Sequence, residues 1–315
     1  MFKSGYIAIL GAPNAGKSTL LNAILKEKIA PVTDKPQTTR KRLKGIYTTK
    51  VCQMIFLDTP GVHRSEKNLN RFMLREIDEA VRDADVLVYL FAVDQPETDE
   101  MIRLIGQIRQ KFPQKKGLAL VTKIDLPIEK HRLDVEALRR EFSDMKGYPI
   151  SALTGQGLDE VIQVLTEALP EGPALYPEDD LTDENLRDLA AEIIREKAMA
   201  LMYEEIPYSL AVVVNEFKEP DHPRPLSPSL EGRGEGEGEH RDAITRIQAD
   251  LIVEHDSQKG MVIGEGGRMI KNIGMNARKD IETLLGTKVF LELKVKVDKN
   301  WTKDPARLAR YGYRD

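Results

Sequence analysis

Through residue 170 the chain alternates short apolar runs, at 6–10, 51–57, 86–93 and 118–121, with longer amphipathic stretches such as 18–28 and 68–83. Apolar runs too short to be helices, separated by stretches with helical periodicity, predict a mostly parallel sheet with helices on both faces, an α/β fold. A helix over 158–169 closes this half. Pro170-Glu171-Gly172-Pro173, then Pro177 and the acidic Glu178, Asp179 and Asp180, mark a linker over 171–184. Beyond it the pattern predicts a helix over 185–203, with Asp183 or Thr182 as N-cap ahead of Leu186, Leu189, Ile193 and Ile194. Strands over 208–217 and 244–254, a helix over 257–263, a glycine turn at 264–267 and a helix over 268–285 follow. The last strand, 288–297, alternates strictly: Val289, Leu291, Leu293, Val295 and Val297 face inward, Lys288, Lys294 and Lys296 outward. Residues 221–239 hold three prolines, four glycines and four glutamates and scarcely an apolar side chain. Such a stretch buries too little surface to offset its ordering entropy and is expected to be a disordered insertion. The resulting division is a nucleotide-type α/β domain over 1–170, a linker over 171–184, a smaller α+β domain over 185–300, and a basic tail or helix over 301–315.

A length of 315 residues suits two domains with separate cores. The net charge of −4 taken alone argues against a nucleic-acid partner, but it hides an asymmetry: +4 over residues 1–170, −14 over 171–256 and +6 over 257–315. The basic final segment keeps a polyanionic partner open. Cys52 is the one cysteine, set among Val51, Met54, Ile55 and Phe56, and reads as a buried thiol in a reducing compartment. The five histidines lack zinc-site spacing, and no apolar run approaches the ~20 residues that span a bilayer. A cytoplasmic protein is expected.

The chemistry begins at Gly11-Ala12-Pro13-Asn14-Ala15-Gly16-Lys17-Ser18, followed by Thr19, between a predicted strand and a predicted helix. This spacing lets backbone N–H groups wrap a phosphate, brings a lysine charge to the β- and γ-oxygens and sets a hydroxyl on Mg²⁺. A second apolar strand ends in Asp58-Thr59-Pro60-Gly61, where a carboxylate can hold Mg²⁺ and a glycine N–H can meet the γ-phosphate. Thr122-Lys123-Ile124-Asp125 follows a third strand. Its carboxylate can accept from N1 and the exocyclic amine of guanine, Lys123 can lie along the base, and a backbone N–H at Ser151-Ala152 suits guanine O6. Four motifs in this order at successive strand ends resemble a G protein of the translation-factor-like class.

That resemblance implies GTP and GDP as ligands, Mg²⁺ on Ser18, Thr39 and Asp58, and a catalytic set of Lys17, Thr39 and Gly61. Thr38 and Thr39 lie side by side in the mobile-looking Lys35–Lys41 region, and the resemblance favours Thr39, immediately before Arg40. Threonine stands at 122 where the family form has Asn. Val62 stands where many relatives carry a water-orienting glutamine, and valine cannot orient water. Slow intrinsic hydrolysis raised by a partner or an ion is expected, with Asn14 resembling a K⁺-binding loop asparagine and His63 a weaker candidate for positioning water.

Gly264-Glu265-Gly266-Gly267 contains Gly-x-x-Gly between two helices, in the order helix, strand, strand, helix, loop, helix, strand. That order resembles a type II KH domain, which holds about four unpaired nucleotides. Lys259, Ile263, Gly264, Glu265, Gly266, Gly267, Arg268, Lys271 and Arg278, with Lys279 beside them, are the candidate RNA contacts. Together with Asp256-Ser257-Gln258-Lys259-Gly260, the two-domain combination closely resembles the Era-like family of bacterial GTPases over essentially the whole chain. The resemblance implies binding near the 3′ end of 16S rRNA, a part in assembly of the 30S subunit, a monomer, and peripheral association with the inner membrane. Two departures are Glu265, where the family commonly carries Lys, and the insertion at 221–239. The competing readings are a signalling switch whose KH-like domain binds protein, and an ATP-driven RNA remodelling enzyme, the latter disfavoured by Asp125.

Overall fold

The computed structural model describes residues 1–61, 68–96, 99–143, 145–202, 206–220 and 244–313. Val62, His63 and the insertion at 221–239 lie outside them. The chain divides into two compact units, Met1–Glu184 together with the segment from Leu308, and Asn185–Arg307.

The first unit runs β1 (Lys3–Gly11), α1 (Lys17–Leu25), β2 (Leu43–Thr48), β3 (Cys52–Asp58), α2 (Asn68–Asp83), β4 (Val86–Ala92), α3 (Asp99–Lys111), β5 (Lys116–Thr122), α4 (Val135–Glu141), β6 (Gly147–Pro149) and α5 (Leu158–Ala168). The strands form one sheet in the order β2-β3-β1-β4-β5-β6, parallel throughout except for antiparallel β2 on β3. β3 and β4 are buried at every position, which is why they read as unbroken apolar runs. Ala8, Leu10, Leu57, Leu87 and Tyr89 pack under α2, α3 and α4. Alternation sends Ile7 and Ile9 to the opposite face, where Leu21 of α1 crosses β2 so closely that a Cβ on Gly45 would lie 2.5 Å from its Cδ1. Chain order leaves β1 for β2 and β3 on one side and returns to β4 on the other. This reversal opens a crevice at the carboxyl ends of the strands beside β1.

The structure departs from the expected pattern in several places. β2 was not expected: its pattern mixes lysine and glycine with apolar residues, and it pairs only along one edge, with β3. Residues 171–184, expected as a linker, are stitched to the first unit. The buried Gln53 side chain accepts from Leu175 N (2.6 Å) and Tyr176 N (2.9 Å) and donates to Tyr176 O (2.9 Å). Ile46 N reaches Leu181 O at 2.8 Å, and Lys44 pairs with Asp183 at 2.5 Å. Asp183 is therefore spent on that pair. The cap of the next helix is Asn185, whose side chain accepts from Asp188 N at 2.9 Å.

The second unit has α6 (Leu186–Leu201), β7 (Ala211–Lys218), β8 (Ile244–Val253), α7 (Asp256–Ile263), α8 (Arg268–Leu285) and β9 (Lys288–Val297). Its sheet is β7-β8-β9, antiparallel then parallel, and the parallel β8–β9 pair is what requires α7 and α8 as a crossover. Residues 208 and 209, expected to open the strand, instead belong to a 3₁₀ turn, Ile206–Ser209. α6 and α8 pack Ile194, Ala198, Ile273, Ala277 and Ile281 onto Ile247, Leu251 and Val253. Trp301 is fully buried and donates to Ser209 O at 3.0 Å. Of the two forms expected for the basic segment over 301–315, a tail or a helix, Pro305–Arg310 takes the helix, α9, followed by a turn, with Leu308 and Tyr313 buried.

Replacing Gln53 by Leu removes the partner of three part-buried backbone groups of 175–176. The expected result is a loss of about 1 kcal/mol in the first unit's stability, read as a lower urea midpoint with unchanged slope.

Candidate functional site

Gly11 ends β1 and Lys17 opens α1, so the intervening loop presents its backbone at a helix N-terminus. Gly16 has φ of 93° and Asn14 φ of 60°, left-handed backbone that turns the loop over on itself. A cavity of about 60 Å³ sits on this loop, lined by Asn14, Gly16, Lys17, Ser18 and Thr19 below and by Thr33, Gln37, Thr38, Thr39 and Gly61 above. Gly61 must be glycine for steric reasons: a Cβ there would lie 2.8 Å from the backbone of Pro13. Thr59 donates to Ile9 O at 2.6 Å, tying the end of β3 to β1.

Three oxygens converge at the loop. Ser18 Oγ donates to Asp58 Oδ2 at 2.6 Å and lies 3.0 Å from Thr39 Oγ1, which donates to the same carboxylate oxygen at 3.3 Å. Of the two adjacent threonines, Thr39 is the one brought to Ser18 and Asp58. Thr38 turns away, donating to Lys35 O at 2.7 Å and lying 2.6 Å from Thr33 Oγ1. Asp58 is fully buried, and its Oδ1 has no hydrogen-bond partner among the described residues. Burial pushes its carboxyl above the usual carboxylate range, against the pull of Lys17 and the two hydroxyls. Burial likewise lowers the Lys17 ammonium to about 8, with Asp58 pulling the other way, while its Nζ donates to Gly11 O at 3.1 Å and Ala12 O at 3.0 Å. The donor set of two hydroxyls and a carboxylate, with one buried carboxylate oxygen unclaimed, suits a hard divalent cation.

The base motif is assembled across β5 and β6. Thr122 donates to Ala15 O at 2.8 Å, so the residue standing in place of the family's Asn stitches β5 to the phosphate loop. Lys123, at φ of 62°, pairs with Asp94 at 2.8 Å. Exposed Asp125 accepts from buried Ser151 Oγ at 2.6 Å, and Ile124 N reaches Ile150 O at 3.4 Å, which places Ser151-Ala152 beside it. Asp94 and Gln95, whose amide donates to Pro13 O at 3.0 Å, were not anticipated; they follow β4, and the only signal for them was their place after an apolar strand. Arg40 was also missed as a structural residue: it is 1% exposed and bonds Tyr313.

In the second unit the glycine loop joins α7 to α8. Gly264 has φ of 71°, and a Cβ there would meet Met269 Cβ at 2.7 Å and its N at 2.9 Å. Gly266 and Gly267 are also left-handed, at 58° and 77°, but open on their outer side. The loop is thus pinned at its first glycine and bare at the others. Glu265, Arg268, Lys271, Arg278 and Lys279 are exposed; Lys259 and Ile263 are half-buried. Lys259, Arg268, Lys271, Arg278 and Lys279 form no ion pair among the described residues, unlike Lys294 and Lys296 of β9, which pair with Glu292 and Asp250.

Two family models match, a 50S ribosome-binding GTPase over residues 6–123 and a KH domain over 233–302. A GTPase Era of Syntrophus aciditrophicus is 44% identical across 100% of this chain and 96% of its own length. One of Geotalea uraniireducens is 41% identical, at 99% and 98%. Two solved structures cover all of both chains at 35% identity and TM-score 0.85: Era in complex with MgGDPNP and nucleotides 1506–1542 of 16S ribosomal RNA, and a point variant of Aquifex aeolicus Era bound to GDP and AlF₄⁻.

Alanine at 264 forces both a strained φ and a clash, and is expected to destabilise the second unit by about 2 kcal/mol or more. Alanine at 266 meets only the strain, about 1 kcal/mol. Thermal unfolding of the two variants compares them directly.

Proposed function

The chain belongs to the GTPase Era family, and from that premise we propose that it is a GTP-driven switch that holds the 3′-end region of 16S rRNA in its KH unit while the 30S subunit assembles. It is a GTP-hydrolysing enzyme with a KH domain. The observation that carries the switch reading is the convergence of Ser18 and Thr39 on the buried Asp58 carboxylate beneath Lys17. Ser18 sits in the first turn of α1 and Asp58 ends β3, whereas Thr39 sits on the long connection from α1 to β2. A ligand bridging the two sides changes what that connection prefers.

The residues fit Mg²⁺, which when bound supplies charge to the transferring phosphoryl oxygens. Ser18, Thr39 and Asp58 would hold it, with Lys17 and the backbone of residues 11–16 on the phosphates and Gly61 offering an N–H to the γ-phosphate. Asp125, Lys123 and the Ser151-Ala152 backbone read guanine, with Thr122 holding that motif to the loop. Asn14 gives its amide N–H to Asp34 O at 2.8 Å, leaving the amide oxygen as the group that would ligate K⁺. The unpaired cations of α7 and α8 supply phosphate contacts for single-stranded RNA, and Gly266 and Gly267 allow its backbone to approach. Peripheral association with the inner membrane, a cytoplasmic location and a monomeric state complete the proposal on the family likeness; no described helix is long and apolar enough to cross a membrane.

The test is GTP hydrolysis with and without a single-stranded oligonucleotide of the 16S 3′ end, in K⁺ and in Na⁺ buffer. Stimulation by the oligonucleotide is expected, and a larger rate in K⁺. An oligonucleotide that neither binds nor stimulates defeats the RNA reading, and equal rates in the two salts defeat the role of Asn14. In filter binding, Arg268→Ala and Lys271→Ala should each weaken the oligonucleotide and flatten its log–log salt dependence by about one unit.

A further inference from the structure

Thr39 is followed by two residues whose side chains are both engaged by a segment about 270 positions further along the chain. Arg40 donates from Nη1 to the Tyr313 hydroxyl at 3.2 Å, and its Cζ lies 5.9 Å from the Tyr313 ring centroid. Lys41 Nζ lies 5.4 Å from the same centroid, and a Cβ on Gly312 would fall 2.5 Å from that amine. Phe72, in the second turn of α2, closes the ring's other side edge-on, with centroids 5.6 Å apart at 77°. Tyr313 is held back against the unit by its own turn, since Leu308 O accepts from both Tyr311 N and Tyr313 N. Arg40 is 1% exposed and Tyr313 5%.

A guanidinium so deeply buried tolerates few arrangements, because each alternative leaves its charge without compensating contacts. Fixing the Arg40 side chain therefore fixes the backbone at 40, and with it the direction in which the preceding residue projects. Among the described residues, Thr39 itself is held on its other side by two hydroxyl contacts, at 3.0 and 3.3 Å. One is a hydroxyl–hydroxyl contact to Ser18 and the other a long bond to the Asp58 carboxylate, modest anchors for a loop. The aromatic and cationic contacts of residues 40 and 41 hold this stretch together with those that Arg42 makes to Glu76, Glu79 and Asp83 of α2.

We propose that Tyr313 is a positioning residue for GTP hydrolysis: by clasping Arg40 and Lys41 it holds the Thr39 hydroxyl where Ser18 and Asp58 meet it. Tyr313 touches neither nucleotide nor metal in this scheme. The inference rests on the reading of Thr39 as a ligand of the nucleotide-bound Mg²⁺, so Thr39→Ala is the reference variant.

In the full chain, Tyr313→Ala is expected to raise the Mg²⁺ concentration for half-maximal GTP hydrolysis about tenfold. It should weaken a non-hydrolysable GTP analogue by a similar factor and leave GDP affinity within about twofold of the parent. Tyr313→Phe keeps the ring between Phe72 and the two cations and should retain most of the parent's Mg²⁺ response. Adding Thr39→Ala to Tyr313→Ala should cost little beyond Thr39→Ala alone, because both act through one hydroxyl. Tyr313→Leu, which preserves apolar volume, replaces the alanine variant if that one does not fold. Equal losses for GTP analogue and GDP would show a merely structural tyrosine and overturn the proposal. So would an unchanged Mg²⁺ response in Tyr313→Ala while Thr39→Ala shifts it, an outcome that leaves the GTPase reading of Thr39 intact. No shift in either variant would remove the role of Thr39 and the inference with it.

Discussion

One buried carboxylate organises the first unit. Asp58 closes β3 inside the sheet, fully shielded from water, where an ionised group is tolerable only beside compensating charge and donors. Lys17 supplies the charge and Ser18 and Thr39 the donors, and they arrive from two separate parts of the chain. For Lys17 to reach it, the loop after β1 must turn through left-handed backbone at Asn14 and Gly16. For Thr39 to reach it, the connection to β2 must fold back over the loop. The parallel register of β1 on β3, in which Ile9 stands opposite Asp58, sets the two strand ends side by side and makes both possible.

Much of this was legible because the phosphate loop is local: eight consecutive residues carry the turn, the charge and the hydroxyl. β3, β4 and the helix at 68–83 were legible for a similar reason, since complete burial or a clean helical stripe writes itself into adjacent positions. Lys288–Val297 was legible through strict alternation. What could not be read were partnerships set by the tertiary fold. Nothing near Arg40 in sequence marks it as buried; its partner lies in the last turn described. Lys123 looked like a residue for a base plane alone, and its ion pair comes from Asp94 at the end of another strand. The stretch after Pro170 has the composition of a linker, yet one buried glutamine, Gln53, with no apolar signature of its own, binds it down.

The second unit solves a different problem, that of exposing backbone without losing shape. Its three glycines in the Gly264–Gly267 loop do unequal work. Gly264 is fixed by Met269 and by the start of α8, which leaves Gly266 and Gly267 bare on a loop that cannot drift. The net acidity of the chain does not reach this surface, because the cations flanking the loop form no ion pair among the described residues, while Lys294 and Lys296 of β9 are neutralised by neighbours on their own sheet.

The first unit is written in two pieces of sequence, Met1–Glu184 and the segment from Leu308. During synthesis every phosphate, metal and base motif leaves the ribosome before residue 185, and the whole KH sheet follows before the ring that clasps Arg40 exists. A nascent chain stopped between residues 185 and 313 therefore carries all the recognisable motifs of a nucleotide switch but not the ring that clasps Arg40. Emergence of the segment after Arg307 is in this way registered at the nucleotide site, by a single aromatic side chain.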